Sequence, residues 1–141
     1  MDCGPGTLRH RYELFEKLGQ GTMGRVHRAR RRADGVEFVV KQIGLAGFSE
    51  TSREDILNEV CVMRQLEHPN VVAYEESFVL DDELSIVMEH LVGGDMGKAI
   101  KVRGGEPLPE EEVWDMLIQL TEGLHHLHDR RVLHRDIKLE N

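Results

Sequence analysis

The stretch that most constrains this chain is Gly19-Gln20-Gly21-Thr22-Met23-Gly24-Arg25-Val26, a G-x-G-x-x-G-x-V pattern with strand-like text on both sides. Tyr12 to Leu18 precedes it, and Gly24 to Arg30 alternates small or apolar residues with polar ones. Such glycines can open a dinucleotide-binding unit, but that unit requires a helix next, and here a strand follows. The stretch therefore reads as a β-hairpin pinned by glycines. Its backbone can close over phosphate groups that side chains would hold away. Taken alone, a plain glycine-rich hairpin is the alternative.

Residues 1–11, broken by Gly4, Pro5 and Gly6, read as a loose leader. After the turn Ala33-Asp34-Gly35, Val36 to Ile43 forms a third, mostly buried strand. Ser52-x-x-Asp55 resembles a capping box opening a helix, on which Ile56, Glu59, Val60 and Met63 share one face. His68-Pro69-Asn70 ends it. Two more strands, Val71 to Val79 and Leu84 to Glu89, flank the acidic turn Leu80 to Glu83, which completes a five-stranded antiparallel sheet. Gly93-Gly94 reads as a hinge, followed by a short helix over 95–102 and the loop Arg103-Gly104-Gly105. The longest helix starts at Pro109, carries Glu110, Glu111 and Glu112 in its first turn and runs to about Asp129. The fold class is α+β.

Lys41 closes the run Phe38-Val39-Val40, and a lysine among valines is costly unless paired. Glu59, the one carboxylate on the apolar face of the next helix, is the natural partner. The bland alternative is a snorkelling lysine and a surface glutamate. Far downstream, His134-Arg135-Asp136-Ile137-Lys138-Leu139-Glu140-Asn141 fits the pattern H-R-D-x-x-x-x-N. Glycine turn, strand lysine, helical glutamate and this octapeptide occur in the order that phosphoryl-transfer enzymes of one class use. Other clusters read as structural. His125 and His126 diverge by about 100 degrees on a helix, which argues against a metal site with His128 and His134. Arg28, Arg30, Arg31 and Arg32 read as a solvated hairpin edge, and Met63 and Tyr74 as core beside Glu59.

On these motifs, residues 12–141 resemble the first half or so of a eukaryotic protein kinase domain: 12–91 as N-lobe and hinge, and 92–141 as the start of a helical C-lobe. Lys41-Gln42-Ile43, Leu66 to Val72, Tyr74 to Phe78 and Ile86 to Glu89 are most similar to NIMA-related serine/threonine kinases. The resemblance implies ATP and Mg2+ as cofactors and a protein with a Ser/Thr acceptor as substrate. It implies that Leu18, Gly19, Gly21, Gly24, Val26 and Val39 contact the nucleotide and that Lys41 and Glu59 pair. Met88 becomes the gatekeeper and Glu89, His90 and Leu91 the adenine-binding hinge, with Asp95 near the ribose. Asp136 becomes the base, Lys138 steadies the transferring phosphate, and Asn141 holds magnesium. Lys138, two residues after Asp136, is the serine/threonine type of loop, and Arg135 implies control by a phosphorylated activation segment.

The chain departs from the pattern at Val39, Met23 and Leu139, none of which removes a functional group. The larger departure is that no D-F-G, activation segment or A-P-E follows Asn141, so the 141 residues alone are expected to be close to inactive. A truncated nucleotide-binding or partner-binding module is the competing reading. Trp114, Met116 and Ile118 extend the apolar surface of the last helix around most of its circumference, which predicts an exposed apolar patch and poor solubility for this piece. The formal charge of −8 favours neither nucleic acid nor an anionic membrane. Cys3 and Cys61, far apart and without metal spacing, suit a cytoplasmic setting, and no signal pattern or apolar run of about 18 residues is present.

Overall fold

The computed structural model describes residues 7–21 and 24–140; the expectations for Cys3, Met23, Asn141 and the leader through Gly6 lie outside the described residues. The chain divides into two compact units, Met1–Glu67 with Val72–His90, and His68–Val71 with Leu91–Asn141.

The first unit is built on β1 (Tyr12–Gly21), β2 (Gly24–Arg31), β3 (Glu37–Gly44), β4 (Tyr74–Leu80) and β5 (Glu83–Glu89). They form one five-stranded sheet in the order β1-β2-β3-β5-β4, every pair antiparallel. Period-two alternation along β3 sends its residues to opposite faces. Phe38 and Val40 join Tyr12, Ala29, Phe78 and Val87 in one buried cluster, whereas Ile43 joins Leu84 and Ile86 in the other. The acidic turn Leu80 to Glu83 joins β4 to β5 as expected, with Leu80 and Glu83 paired across its base. Asp81 and Asp82 both have positive φ, 49° and 58°, the backbone of a two-residue hairpin turn that aspartates tolerate.

Two short helices cover the sheet. The loose-leader reading fails for residues 8–11, which form α1 (Leu8–Arg11). Leu8, the stretch's one large apolar side chain, is buried with Tyr12 and Phe38, and that burial outweighs the cost of ordering the segment. The Tyr12 hydroxyl donates to Glu76 Oε1 at 2.5 Å, while Arg11 pairs with Glu76 Oε2 at 2.6 Å. Burial first, and then the Glu76 carboxylate, pushes the Tyr12 hydroxyl well above its ordinary pKa. The second helix, α2 (Glu50–Met63), starts before the expected capping box. Its N-cap is Ser49, whose hydroxyl accepts from the Ser52 N–H at 3.2 Å, so Ser52 is the capped residue rather than the cap.

Three arginines of the β2–β3 hairpin, Arg28, Arg30 and Arg31, form ion pairs along its solvated edge. Arg28 bridges Glu16 at 2.8 Å and Glu37 at 2.6 Å, Arg30 meets Glu13 at 2.9 Å, and Arg31 holds Asp34 and Glu75. Arg28 and Arg30 also lie over the Phe15 ring.

In the second unit, α3 (Met96–Val102) follows the turn at Gly93-Gly94, where Gly94 (φ +71°) donates its N–H to Leu91 O at 3.1 Å. The long helix α4 (Glu110–Asp129) begins after Pro109 and buries only Gly123 and Leu127. Val113, Trp114, Leu117, Ile118 and Leu120 stand exposed, Trp114 at 55%. That is a contiguous helical stripe, as the sequence led one to expect. The 141-residue chain should therefore sediment as concentration-dependent oligomers, and Leu117→Glu with Ile118→Lys should shift it to monomer. Ideal monomer behaviour of the unsubstituted chain up to about 0.1 mM, several orders above the range of a tight self-interface, would refute this expectation.

Candidate functional site

The sheet register assembles the nucleotide-facing residues expected in the first unit. Val26 lies opposite Lys41, which lies opposite Ile86, and Val39 lies opposite Met88. Directly opposed residues share a face, so Val26, Val39, Lys41 and Met88 line one side of the sheet. That side also carries the cluster closed by Val60 of α2, against which Met88 packs. Leu18 is exposed at a register irregularity of β1, and Gly19 lies opposite Val26 at the end of this face.

The glycines are not equivalent. A Cβ added at Gly19 or Gly21 would meet nothing within 4 Å, whereas one at Gly24 would fall 2.1 Å from Gln42 O. Gly19 and Gly21 thus leave open space over the strand, the condition for a ligand to approach backbone. Gly24 is required by its neighbour strand.

Lys41 is half-buried, and among the described residues its ammonium has no ion pair or side-chain hydrogen bond. The structure does not bring it together with Glu59, which is exposed. The reason lies in α2. Leu57 packs beside Ile56 and Met63 around the buried Val60, which turns the apolar stripe so that Glu59 falls on its flank, about 90° from the centre at 100° per residue. The sequence reading overlooked Leu57 and so placed the carboxylate on the buried face.

Of the hinge residues in the first unit, Glu89 exchanges bonds with Ala73: its N–H donates to Ala73 O at 2.9 Å, and its Oε2 accepts from the Ala73 N–H at 3.2 Å. His90 Nδ1 lies 3.4 Å from Glu37 Oε2. Leu91, in the second unit, is exposed.

Asp95 is the N-cap of α3, a role the sequence signalled no more than weakly. Its Oδ1 accepts from the Lys98 N–H at 2.8 Å and its Oδ2 meets Lys98 Nζ at 2.9 Å. The Lys98 ammonium, followed by that N–H, holds the Asp95 carboxyl below the usual carboxylate range.

The catalytic-pattern segment runs from α4 in extended and turn conformations. Arg135 has φ +64°, in the left-handed region, and Asp136 donates its N–H to His134 Nδ1 at 3.3 Å. Lys138 Nζ reaches both carboxylate oxygens of Asp136, at 3.0 and 2.8 Å. Leu139 O accepts from the Gly97 N–H at 2.9 Å, which ties the segment to α3. Asp136 and Lys138 are therefore together and exposed, while Asn141 lies outside the described residues. His125 pairs with Asp129 at 3.1 Å, and no group of three metal-ligating side chains occurs among the described residues.

A strand-borne glycine turn, a lysine on the same face of the sheet and an Asp-Lys couple in an H-R-D segment make up the motif set of the protein kinase class. The protein kinase domain family model matches residues 12–141, and the chain belongs to that family. It is similar to the serine/threonine-protein kinase Nek1 of Mus musculus, 37% identical over 131 residues that cover 93% of this chain and 11% of that protein. Nek5 of Homo sapiens is 35% identical over 131 residues, with 93% of this chain and 18% of the relative covered. Nek3 of Mus musculus is 38% identical over 131 residues, with 92% and 25% covered. The chain thus spans between 11% and 25% of the length of these relatives.

Proposed function

We propose that this chain is the nucleotide-binding half of a NIMA-related serine/threonine protein kinase, which transfers the γ-phosphoryl group of ATP to a Ser or Thr hydroxyl of a protein, in the cytoplasm. The observation that carries the reading is Lys41, a half-buried cation without a counter-ion among the described residues, on the face that ends in the open backbone of Gly19 and Gly21. A half-buried ammonium lacking a carboxylate is a site for an anion, and phosphate oxygens fit its charge. Val26, Val39 and Met88 supply the apolar surface that an adenine ring requires.

The residues divide the labour. Gly19 and Gly21 would admit the phosphates to backbone N–H groups, and Lys41 would hold phosphate oxygens. Asp136 would accept the proton of the substrate hydroxyl, while Lys138, already bidentate on Asp136, would fix that carboxylate and face the transferring group. Asn141 would hold a magnesium ion, which would supply charge neutralisation. Because no D-F-G lies within these residues, the 141-residue chain should bind nucleotide and transfer little.

The test is a melting experiment with MgADP and MgATP. At about 100 times Kd a ligand adds about 2.7 kcal/mol, or roughly 5–10 °C for a chain of this size. Lys41→Ala should remove most of that shift while leaving the ligand-free melting temperature nearly unchanged. An equal shift in the variant would take Lys41 out of the site.

A further inference from the structure

We propose that His126, packed against His68, forms an acid-sensitive clamp that fastens the loop His68–Val71 to α4 only while the His126 ring is neutral. The loop joins α2 to β4, and three contacts hold it on the helix. The two imidazole rings lie 4.9 Å apart at 40°. Asn70 Nδ2 donates to Glu122 Oε2 at 3.0 Å. Gly123 lets Asn70 O come so close that a Cβ there would stand 2.9 Å from it.

The His126 ring has no place for a second proton. Its neighbour His68 accepts the Asn70 N–H on Nδ1 at 3.1 Å, the bond that shapes the loop. His126 Nδ1 lies 3.2 Å from Arg130 Nη1, and because a guanidinium can only donate, that nitrogen accepts. The neutral ring then carries its hydrogen on Nε2, which is buried without a partner. A proton on Nδ1 would point an N–H at the Arg130 guanidinium. The surrounding charges do not compensate. Asp129 is the one group that favours the charged His126, yet it is 3.1 Å from His125, and the Glu122 carboxylate is engaged by Asn70. Desolvation, and after it Arg130 and His68, keeps His126 below its ordinary pKa.

The sign follows. A base whose pKa is lower in the docked state takes up protons on release, so the clamp is at full strength above about pH 6.5 and loosens as pH falls below it.

Two measurements on the 141-residue chain test this, and neither needs a nucleotide. Imidazole 13C shifts followed from pH 8 to pH 5 should give His126 a midpoint below about 6.5. Melting temperature against pH should fall more steeply for the unsubstituted chain than for His126→Phe, which keeps a ring against His68 but cannot titrate. A His126 midpoint at or above about 6.5 overturns the clamp, as do parallel melting curves. Should His126→Phe not fold, the imidazole titration alone decides.

Discussion

Asp136→Asn should lower phosphoryl transfer by about 10²–10⁴-fold, the range that a positioned general base contributes, while leaving nucleotide affinity unchanged. The measurement is single-turnover transfer to a generic protein, made on the longest polypeptide that carries these residues and shows activity, alongside MgADP binding. Asparagine keeps the shape of the side chain and one carbonyl oxygen. It loses the second acceptor, and Lys138 loses the bidentate grip recorded at 3.0 and 2.8 Å. The change is confined to the base because Asp136 is exposed in the second unit, whereas the proposed phosphate contacts of Gly19, Gly21 and Lys41 belong to the first. Transfer within a few-fold of the unsubstituted rate would assign the proton elsewhere. A parallel loss of nucleotide affinity would mean that the substitution had altered more than the proton acceptor.

Much of this architecture was legible before any coordinates, and the misses have physical causes. Strand alternation with glycine punctuation placed all five strands, because period-two patterning and turn residues are local signals. Val26, Val39, Lys41 and Met88, which the kinase resemblance implies face the nucleotide, are aligned on one face by the register. Glu59 went astray because two templates, with and without Leu57, fit the same helix, and only packing against Ile43, Leu84 and Ile86 chooses between them. Leu8 was hidden by its setting, since one apolar residue in a polar leader carries no periodicity and its burial depends on a remote partner, Phe38. Asp95 was read for the ligand and found on the helix N-terminus, a conflict inherent in a side chain that suits both tasks. Gly123 was the overlooked signal. A lone glycine in the middle of an otherwise strong helix marks a close approach, here by Asn70 O.

The glycine loop separates folding from binding, and Gly24→Ala is the substitution that exposes the difference. Gly24 has φ +146°, a backbone that residues with a Cβ rarely adopt. The added carbon would stand 2.1 Å from Gln42 O and 3.0 Å from Gln42 C, both backbone atoms held by the β2–β3 ladder, so no flexible side chain can swing aside. Backbone strain of about 1–3 kcal/mol and an overpacking cost of about 1–3 kcal/mol together predict a loss of about 4 kcal/mol. That corresponds to a melting temperature lowered by roughly 8–16 °C in the absence of any nucleotide. Gly19→Ala and Gly21→Ala meet open space and should leave the ligand-free melting temperature within about 2 °C, under 1 kcal/mol, while shrinking the shift that MgADP produces. Calorimetry of the three variants with and without nucleotide distinguishes the two effects. If Gly24→Ala melts like the unsubstituted chain, β2 and β3 can separate at the loop end, and the demand for glycine there comes from the ligand after all. If Gly19→Ala or Gly21→Ala keeps the full nucleotide shift, the open backbone beside Lys41 is not where the phosphates lie.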